Sequence, residues 1–493
     1  MSATARRHAV AGPGIVVVVL CLGGLTAALT QTMVIPLQSD LPRLLHASAS
    51  DTAWVVTITL LCAAIAVPIA GRVADIAGKR RVLTGTLAAS TAGSLVCAMS
   101  DSLPPMLVGR GLHGVAFGFI PVAVAMIREV VPASRAATGI AAISATFGVG
   151  AAIGLPLSAW IVEIGDWHLA FWGLAAVGVV VLIAVITVLP GVEGRSSGRF
   201  DLVGALGLAL GLSLLIVGMS KGSAWGWDSG RTLGSLVLGL LTIGLWVLME
   251  LRTEEPLVDV RGSAELPVML TNVAGIAVGV CMMAHFIAVP QLLMLPVATG
   301  HGLGQTILHT GLWMAPGGLV MMFLAPVSGR LINTVGAKAT LMLGIAVIGV
   351  GYAVALGLMT TPRHLLIASA VISTGVGIGY AAMPTLILDA TPPSKAGSAV
   401  GVNTLMRLVG TTIASAAMGA VLTGSTQTFG TVDVPTEGAF QLCFLIGALT
   451  AAVALGIAAL VPRHDAAKGA LALTEDSVGV PNQATTFDLP PSY

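Results

Sequence analysis

Fourteen runs of roughly 20 apolar residues succeed one another along the chain, and almost every charge falls in the short gaps between them. A helix of that length is about 30 Å long, the thickness of a bilayer's hydrocarbon layer, and satisfies its own backbone N–H and C=O groups there. The pattern predicts an all-α polytopic membrane protein with 14 spans, the first at 13–37 and the last at 439–461. Composition agrees: 56% of residues are hydrophobic and 9% charged, against about 25% charged in soluble domains. The net charge of +1 leaves no basic excess to attract nucleic acid.

Orientation follows from the basic residues. Of the 23 Lys and Arg, 17 fall in the N-terminal segment, the C-terminal segment or the even-numbered loops on their side, four lie on the opposite side, and two, Arg110 and Arg407, lie within spans. Under the positive-inside rule both termini are cytoplasmic and the membrane is the inner (plasma) membrane. Arg6 and Arg7 precede about 23 apolar residues with no small-residue cleavage site, so this stretch reads as a retained first span. The five cysteines lie in five different runs with no metal-ligand spacing, and read as free thiols used for packing.

The chain also repeats itself. Pro68, Gly71, Arg72, Asp75 and Gly78 recur as Pro326, Gly329, Arg330, Asn333 and Gly336, and Glu129, Pro132, Ser134 and Arg135 recur as Asp389, Pro392, Ser394 and Lys395. Both sets are expected in cytoplasmic loops, after the second and fourth spans of each half. This is six helices written twice. The expected organisation is a cytoplasmic N-terminus (1–12), a six-helix bundle (13–190), a linker (191–199), two additional spans (200–251), a loop (252–265), a second six-helix bundle (266–461) and a disordered tail (462–493).

The segment Gly71-Arg72-Val73-Ala74-Asp75-Ile76-Ala77-Gly78-Lys79-Arg80-Arg81 resembles the loop signature of the major facilitator superfamily. Arg110-Gly111-Leu112-His113-Gly114 looks like that family's Arg-x-x-Gln-Gly element, with His113 in place of Gln. Gly150, Gly154, Pro156 and Ser158 in the fifth span are similar to its antiporter signature, with the proline one position late. Arg199-Phe200-Asp201-Leu202-Val203-Gly204, continuing to Trp225 and Trp227, resembles the seventh span of the fourteen-helix drug:proton antiporters. The resemblance implies a major facilitator fold of two six-helix bundles plus two extra central helices. It also implies a gating role for Gly71, Arg72, Asp75, Gly78, Lys79 and Arg80 and for Gly329, Arg330, Asn333 and Gly336.

Cation-exporting relatives place an Asp in the first span, where this chain has Thr30, and no acid falls mid-span anywhere. Arg407, with Asn403 one turn before it, is close to the midplane, and a guanidinium there attracts an anionic or polar ligand or else holds broken helices together. The expected substrate pathway is Thr30, Gln31, Met33, Met283, Gln291, Trp313, Met314, Asn403 and Arg407, its thioethers suiting varied apolar ligands. A coupled proton needs a titrating group, and the candidates are His113, His285 and Asp51, with Arg110 beside the first.

These readings converge on proton-driven export of a neutral or anionic amphipathic antibiotic or metabolite by a monomer. A facilitator or symporter for a small organic solute in the same fold is the alternative. A membrane enzyme would need a metal cluster, paired carboxylates or a nucleophile with its base, and no such constellation is present. No Walker loop points to ATP, and no cofactor is implied.

Overall fold

The computed structural model describes residues 12–35, 37–38, 40–191, 198–429 and 432–462. The expected N-terminal segment, most of the 191–199 linker and the tail beyond Pro462 lie outside the described residues. The described residues from Gly12 to Val461 group as one unit.

The helices, numbered by span, are helix 1 (Pro13–Thr32), helix 2 (Trp54–Ala77), helix 3 (Lys79–Ala98), helix 4 (Leu103–Ala116 and Phe119–Val130), helix 5 (Ala133–Ile164), helix 6 (His168–Val188), helix 7 (Leu202–Trp225), helix 8 (Gly230–Glu250), helix 9 (Leu266–Met294), helix 10 (Ile307–Val335), helix 11 (Ala337–Gly357), helix 12 (Pro362–Gly379 and Ala382–Asp389), helix 13 (Ala396–Gly424) and helix 14 (Glu437–Leu460). Thirteen of these are apolar enough to cross a membrane by length and hydropathy. The remaining one, helix 3, is 20 residues long but opens on Lys79, Arg80 and Arg81. The chain is thus a multi-pass, mainly helical membrane protein.

Helices 4 and 12 were expected as unbroken spans, and each is interrupted. Helix 4 breaks at Phe117 and Gly118, and helix 12 breaks at Tyr380 and Ala381. The two breaks fall within about three residues of matching positions in the sequence repeat. The repeat also fixes backbone geometry: Gly78 and Gly336 end helices 2 and 10 at φ of 97° and 87°, where a side chain would be strained.

Each six-helix set packs within itself, and the two sets meet along two seams, helix 5 on helix 10 and helix 2 on helix 13. Small residues bring the backbones together: a Cβ on Gly318 would strike the Gly148 carbonyl, and one on Gly71 the Gly397 carbonyl. Helices 7 and 8 are central in sequence but peripheral in space. Helix 7 lies over the helix 2/helix 13 seam, where Leu208 and Leu212 pack with Leu61, Ala64, Val402 and Leu405. Helix 8 is apolar and mostly exposed, as a lipid-facing helix should be.

One element has no counterpart in the hydropathy pattern. Thr426–Phe429 pairs antiparallel with Val432–Pro435, a short hairpin between helices 13 and 14. Its alternating Thr and Val residues favour strand, and it lies outside the apolar runs.

Candidate functional site

Gly71, Arg72 and Asp75, expected in a loop, are helical. Helices 2 and 10 each continue six residues past their apolar runs, which were expected to end at 71 and 329, and reach Ala77 and Val335. Hydropathy misplaces the ends because the polar residues of these last turns are met by protein. Asp75 is 1% exposed and accepts from the N–H groups of Gly397 (2.9 Å) and Ser398 (2.8 Å) at the start of helix 13. A carboxylate at a helix N-terminus faces the positive end of the helix dipole and two donors that no helical carbonyl can reach. This cap joins the first six-helix set to the second.

The repeat copy is built differently. Gly329 abuts Thr138, the repeat equivalent of Ser398, as Gly71 abuts Ser398. Asn333, in the place of Asp75, is exposed and donates from Nδ2 to the Ser134 carbonyl at 3.4 Å. A neutral amide replaces the charged cap, so the clasp is strong on one seam and weak on the other. Arg330 is exposed. Lys79 is buried and bonds Glu129 at 2.8 Å, while Arg80 reaches the Ile186 carbonyl, both within the first half. Arg128 and Asp389 pair across the halves at 2.9 Å, each 40% exposed. Beside them Lys395 pairs with Asp259, whose carboxyl burial would raise; the Gly262 N–H and Lys395 outweigh this and hold it below the usual range.

At the opposite end Arg110 is 1% exposed, which excludes a side chain snorkelling to the interface. Its Nε donates to the Val55 carbonyl (3.1 Å) and its Nη1 to the Thr30 carbonyl (2.5 Å) and to His113 Nδ1 (3.2 Å). Arginine has no acceptor, so His113 Nδ1 must be the unprotonated nitrogen, and Nε2 meets Ser94 Oγ at 2.9 Å. The fork ties helices 1, 2 and 4, and both nitrogens of the neutral ring are satisfied. Arg110→Lys, which keeps the charge but not the fork, is expected to cost about 3 kcal/mol, counted as two charge-assisted bonds lost. A thermal midpoint unchanged in detergent would contradict that.

Helix 5 faces helix 1 along the expected stripe. Gly150 lies against Ala28, Gly154 against Thr32, and Ser158 donates to the Met33 carbonyl. Thr32 returns a bond to the Gly150 carbonyl at 3.0 Å. Pro156 lies on the other side, against Gly311 of helix 10.

Between the halves lies a small, partly open cleft. It is lined from helix 5 by Gly148, Ala151 and Leu155, from helix 9 by His285 and Phe286, from helix 10 by Met314, Gly318 and Met321, and from helix 12 by Ser373. His285 is 5% exposed, and its Nδ1 has no hydrogen-bond partner. It is the only titratable side chain in the lining, and no carboxylate is present there.

Of the expected pathway residues, only Met314 lines this cleft. Thr30 and Met33 are buried around helix 1, Gln31 and Met283 are half-buried, and Gln291 is exposed. Trp313 donates to Gln305 at 2.9 Å. Asp51 is exposed and bonded to Ser48, far from the enclosed setting expected of a coupling group. Arg407 is 4% exposed and committed inside the second half: it donates to Asn403 Oδ1 and to Thr404 Oγ1 (3.0 Å), and its guanidinium lies 4.4 Å from the Tyr380 ring centre. Asn403 in turn donates to Asn272 at 3.0 Å. Arg407 therefore secures the break in helix 12 through an aromatic face, not through backbone carbonyls. Ser373 and Phe286 were missed, neither carrying a charge or a motif that marks it in the sequence.

Residues 20–415 and 275–484 match the Major Facilitator Superfamily. Among curated proteins, the uncharacterised MFS-type transporter YhcA of Bacillus subtilis is 25% identical over 70% of this chain and 64% of its own length. The multidrug transporter protein MdtP of the same organism is 26% identical over 75% of this chain and 68% of its own. The matched part thus spans somewhat under two thirds of YhcA. In three dimensions the human organic anion transporter MFSD10 superposes with a TM-score of 0.62 at 15% identity, covering 90% of this chain and 99% of that one, which shows the shared fold. On the family match, the paired helix breaks and the twofold seams together, this chain belongs to the major facilitator superfamily of membrane transporters.

Proposed function

We propose that the protein is a secondary active exporter that moves a neutral or anionic amphipathic compound out of the cell in exchange for protons. The observation that carries this is His285, a buried imidazole with an unpartnered nitrogen in a cleft shared by both halves. Proton exchange requires a group that can take up a proton in one state and give it up in another as its surroundings change. Thioethers of Met314 and Met321 let so small a cleft repack around varied apolar ligands. Its lining carries no acid to favour a cation. Similarity to MdtP and to Stp, a multidrug resistance protein of Mycobacterium tuberculosis, supports export of drug-like compounds.

In this reading the bundles 13–190 and 266–461 rock about the cleft, both termini lie on the cytoplasmic side of the inner membrane, and the protein works as a monomer without ATP or cofactor. In the same reading the Asp75 clasp holds the cytoplasmic end shut when the protein faces outward.

The test is transport by energised inverted vesicles of neutral, anionic and cationic amphiphiles, with and without an uncoupler. Uncoupler-sensitive accumulation of neutral or anionic compounds is expected, with Arg407→Ala lowering it at least roughly tenfold by freeing Tyr380 and the helix 12 break. Robust transport of lipophilic cations would overturn the charge argument. Transport that no uncoupler affects would favour a facilitator.

A further inference from the structure

The two additional helices carry a feature that the transport cycle above does not use. Glu250, the last residue of helix 8, is 2% exposed, and neither carboxyl oxygen has a well-formed hydrogen bond, the groups that approach it being neutral donors. Asp201 caps helix 7 by accepting from the Gly204 N–H with Oδ1 (2.7 Å), while its Oδ2 is also unpartnered. Asp201 Oδ2 and Glu250 Oε1 converge on one point, the position a Cβ on Gly204 would take, which puts them inside the roughly 4–6 Å range over which one carboxylate opposes ionisation of another. Only glycine leaves room for both.

No compensating cation is at hand among the described residues. Neither carboxyl forms an ion pair. The basic groups in this region serve others: Arg72 of helix 2 has a partner of its own, and Arg261 donates to the Leu251 carbonyl. The remaining charged groups of the adjoining segments, Arg199, Arg252, Glu254, Glu255 and Asp259, include as many acids as bases and more. The N–H groups of Leu257 and Val258 and the Trp246 indole approach the Glu250 carboxyl and favour its ionised form, short of well-formed hydrogen bonds. The indole hydrogen, however, goes to the Gly204 carbonyl at 2.8 Å. Two ionised carboxylates, one fully buried, have no counter-charge in this arrangement, and a single shared proton removes the conflict.

We propose that Asp201 and Glu250 form a proton-binding site at the base of the helix 7/helix 8 hairpin, holding one proton between them and making the docking of that hairpin sensitive to pH. The site is distinct from the His285 cleft and does not depend on which group carries the transported proton. Its link to the rest of the fold is the chain that follows Glu250. Leu257 and Val258 are buried in the cluster formed by Trp246, Leu61 and Val402, and the next residue, Asp259, pairs with Lys395, next to the helix 13 start that Asp75 caps. Loss of the proton sets two like charges against each other beneath this loop and loosens it, and with it the clasp.

The decisive comparison is thermal unfolding of the full chain in nanodiscs from acid to mildly alkaline pH. Glu250→Gln mimics the protonated form, so its midpoint should match wild type at acid pH and exceed it by several degrees at alkaline pH. Asp201→Asn keeps the cap and removes the like charge, which should move the pH at which wild type begins to lose stability. A Glu250→Gln variant less stable than wild type by the same margin at every pH would overturn the proposal, because it would mean an ionised Glu250 is held by the Leu257 and Val258 N–H groups. Should that variant not fold, infrared titration of wild type and Asp201→Asn decides: a protonated carboxyl band present at neutral pH in wild type and weakened in the variant is expected, and its absence from wild type refutes the shared proton.

Discussion

Asp75→Asn should open the clasped end of the protein. The amide keeps the shape of the carboxylate but turns an NH2 group toward one of two backbone donors, Gly397 or Ser398, and removes the charge from the helix 13 N-terminus. Hydrogen bonds to a charged group contribute about 1.5–3 kcal/mol each, so a loss near 3 kcal/mol moves the balance of closed and open states by roughly a hundredfold. Spin labels at Arg81 and Thr334, on the two halves and both exposed, report this as a second and longer distance in pulsed resonance spectra. Asn333→Ala is the internal control. Its single long bond to the Ser134 carbonyl is exposed, and removing it should shift the same equilibrium less than about threefold. Equal effects from the two variants would refute the asymmetry between the seams.

His285→Ala should separate energised from passive transport. The ring makes no hydrogen bond through Nδ1 and touches Phe286 edge-on at 5.6 Å, so its removal costs packing but leaves no polar partner stranded. Accumulation driven by a pH gradient is expected to fall at least tenfold, within the roughly 5- to 150-fold range of typical coupling energies, while exchange at equal pH continues. Accumulation that survives in His285→Ala would move the coupling to another group. His113 is poorly placed to replace it, because Arg110 occupies one ring nitrogen and Ser94 the other. Protonating that ring would set two cations side by side.

The membrane class, the number of spans and the internal duplication were all legible in the amino-acid order. They depend on local or periodic properties, a run of apolar residues being long enough to cross lipid whatever surrounds it. Gly71, Asp75 and Gly78 could be singled out for the same reason: the repeat displays them twice. Their roles could not be read this way. Whether Asp75 lies in a loop or caps a helix more than 300 residues away depends on which helix start faces it, and only packing decides that.

The same limit explains the pathway residues. Arg407 looked like an open binding charge because its partners are a neighbouring turn and an aromatic ring brought in by the break in helix 12. Asp201 and Glu250, nearly 50 residues apart, gave no sign of forming a pair, since nothing in the order of residues announces that Gly204 leaves space between them. The sequence by itself determined the solvent, the element lengths and the twofold plan, because the hydrophobic effect and helix geometry act on each segment alone. Tertiary structure alone decided which polar groups are satisfied and which are left to bind a proton or a ligand, because satisfaction is a property of pairs.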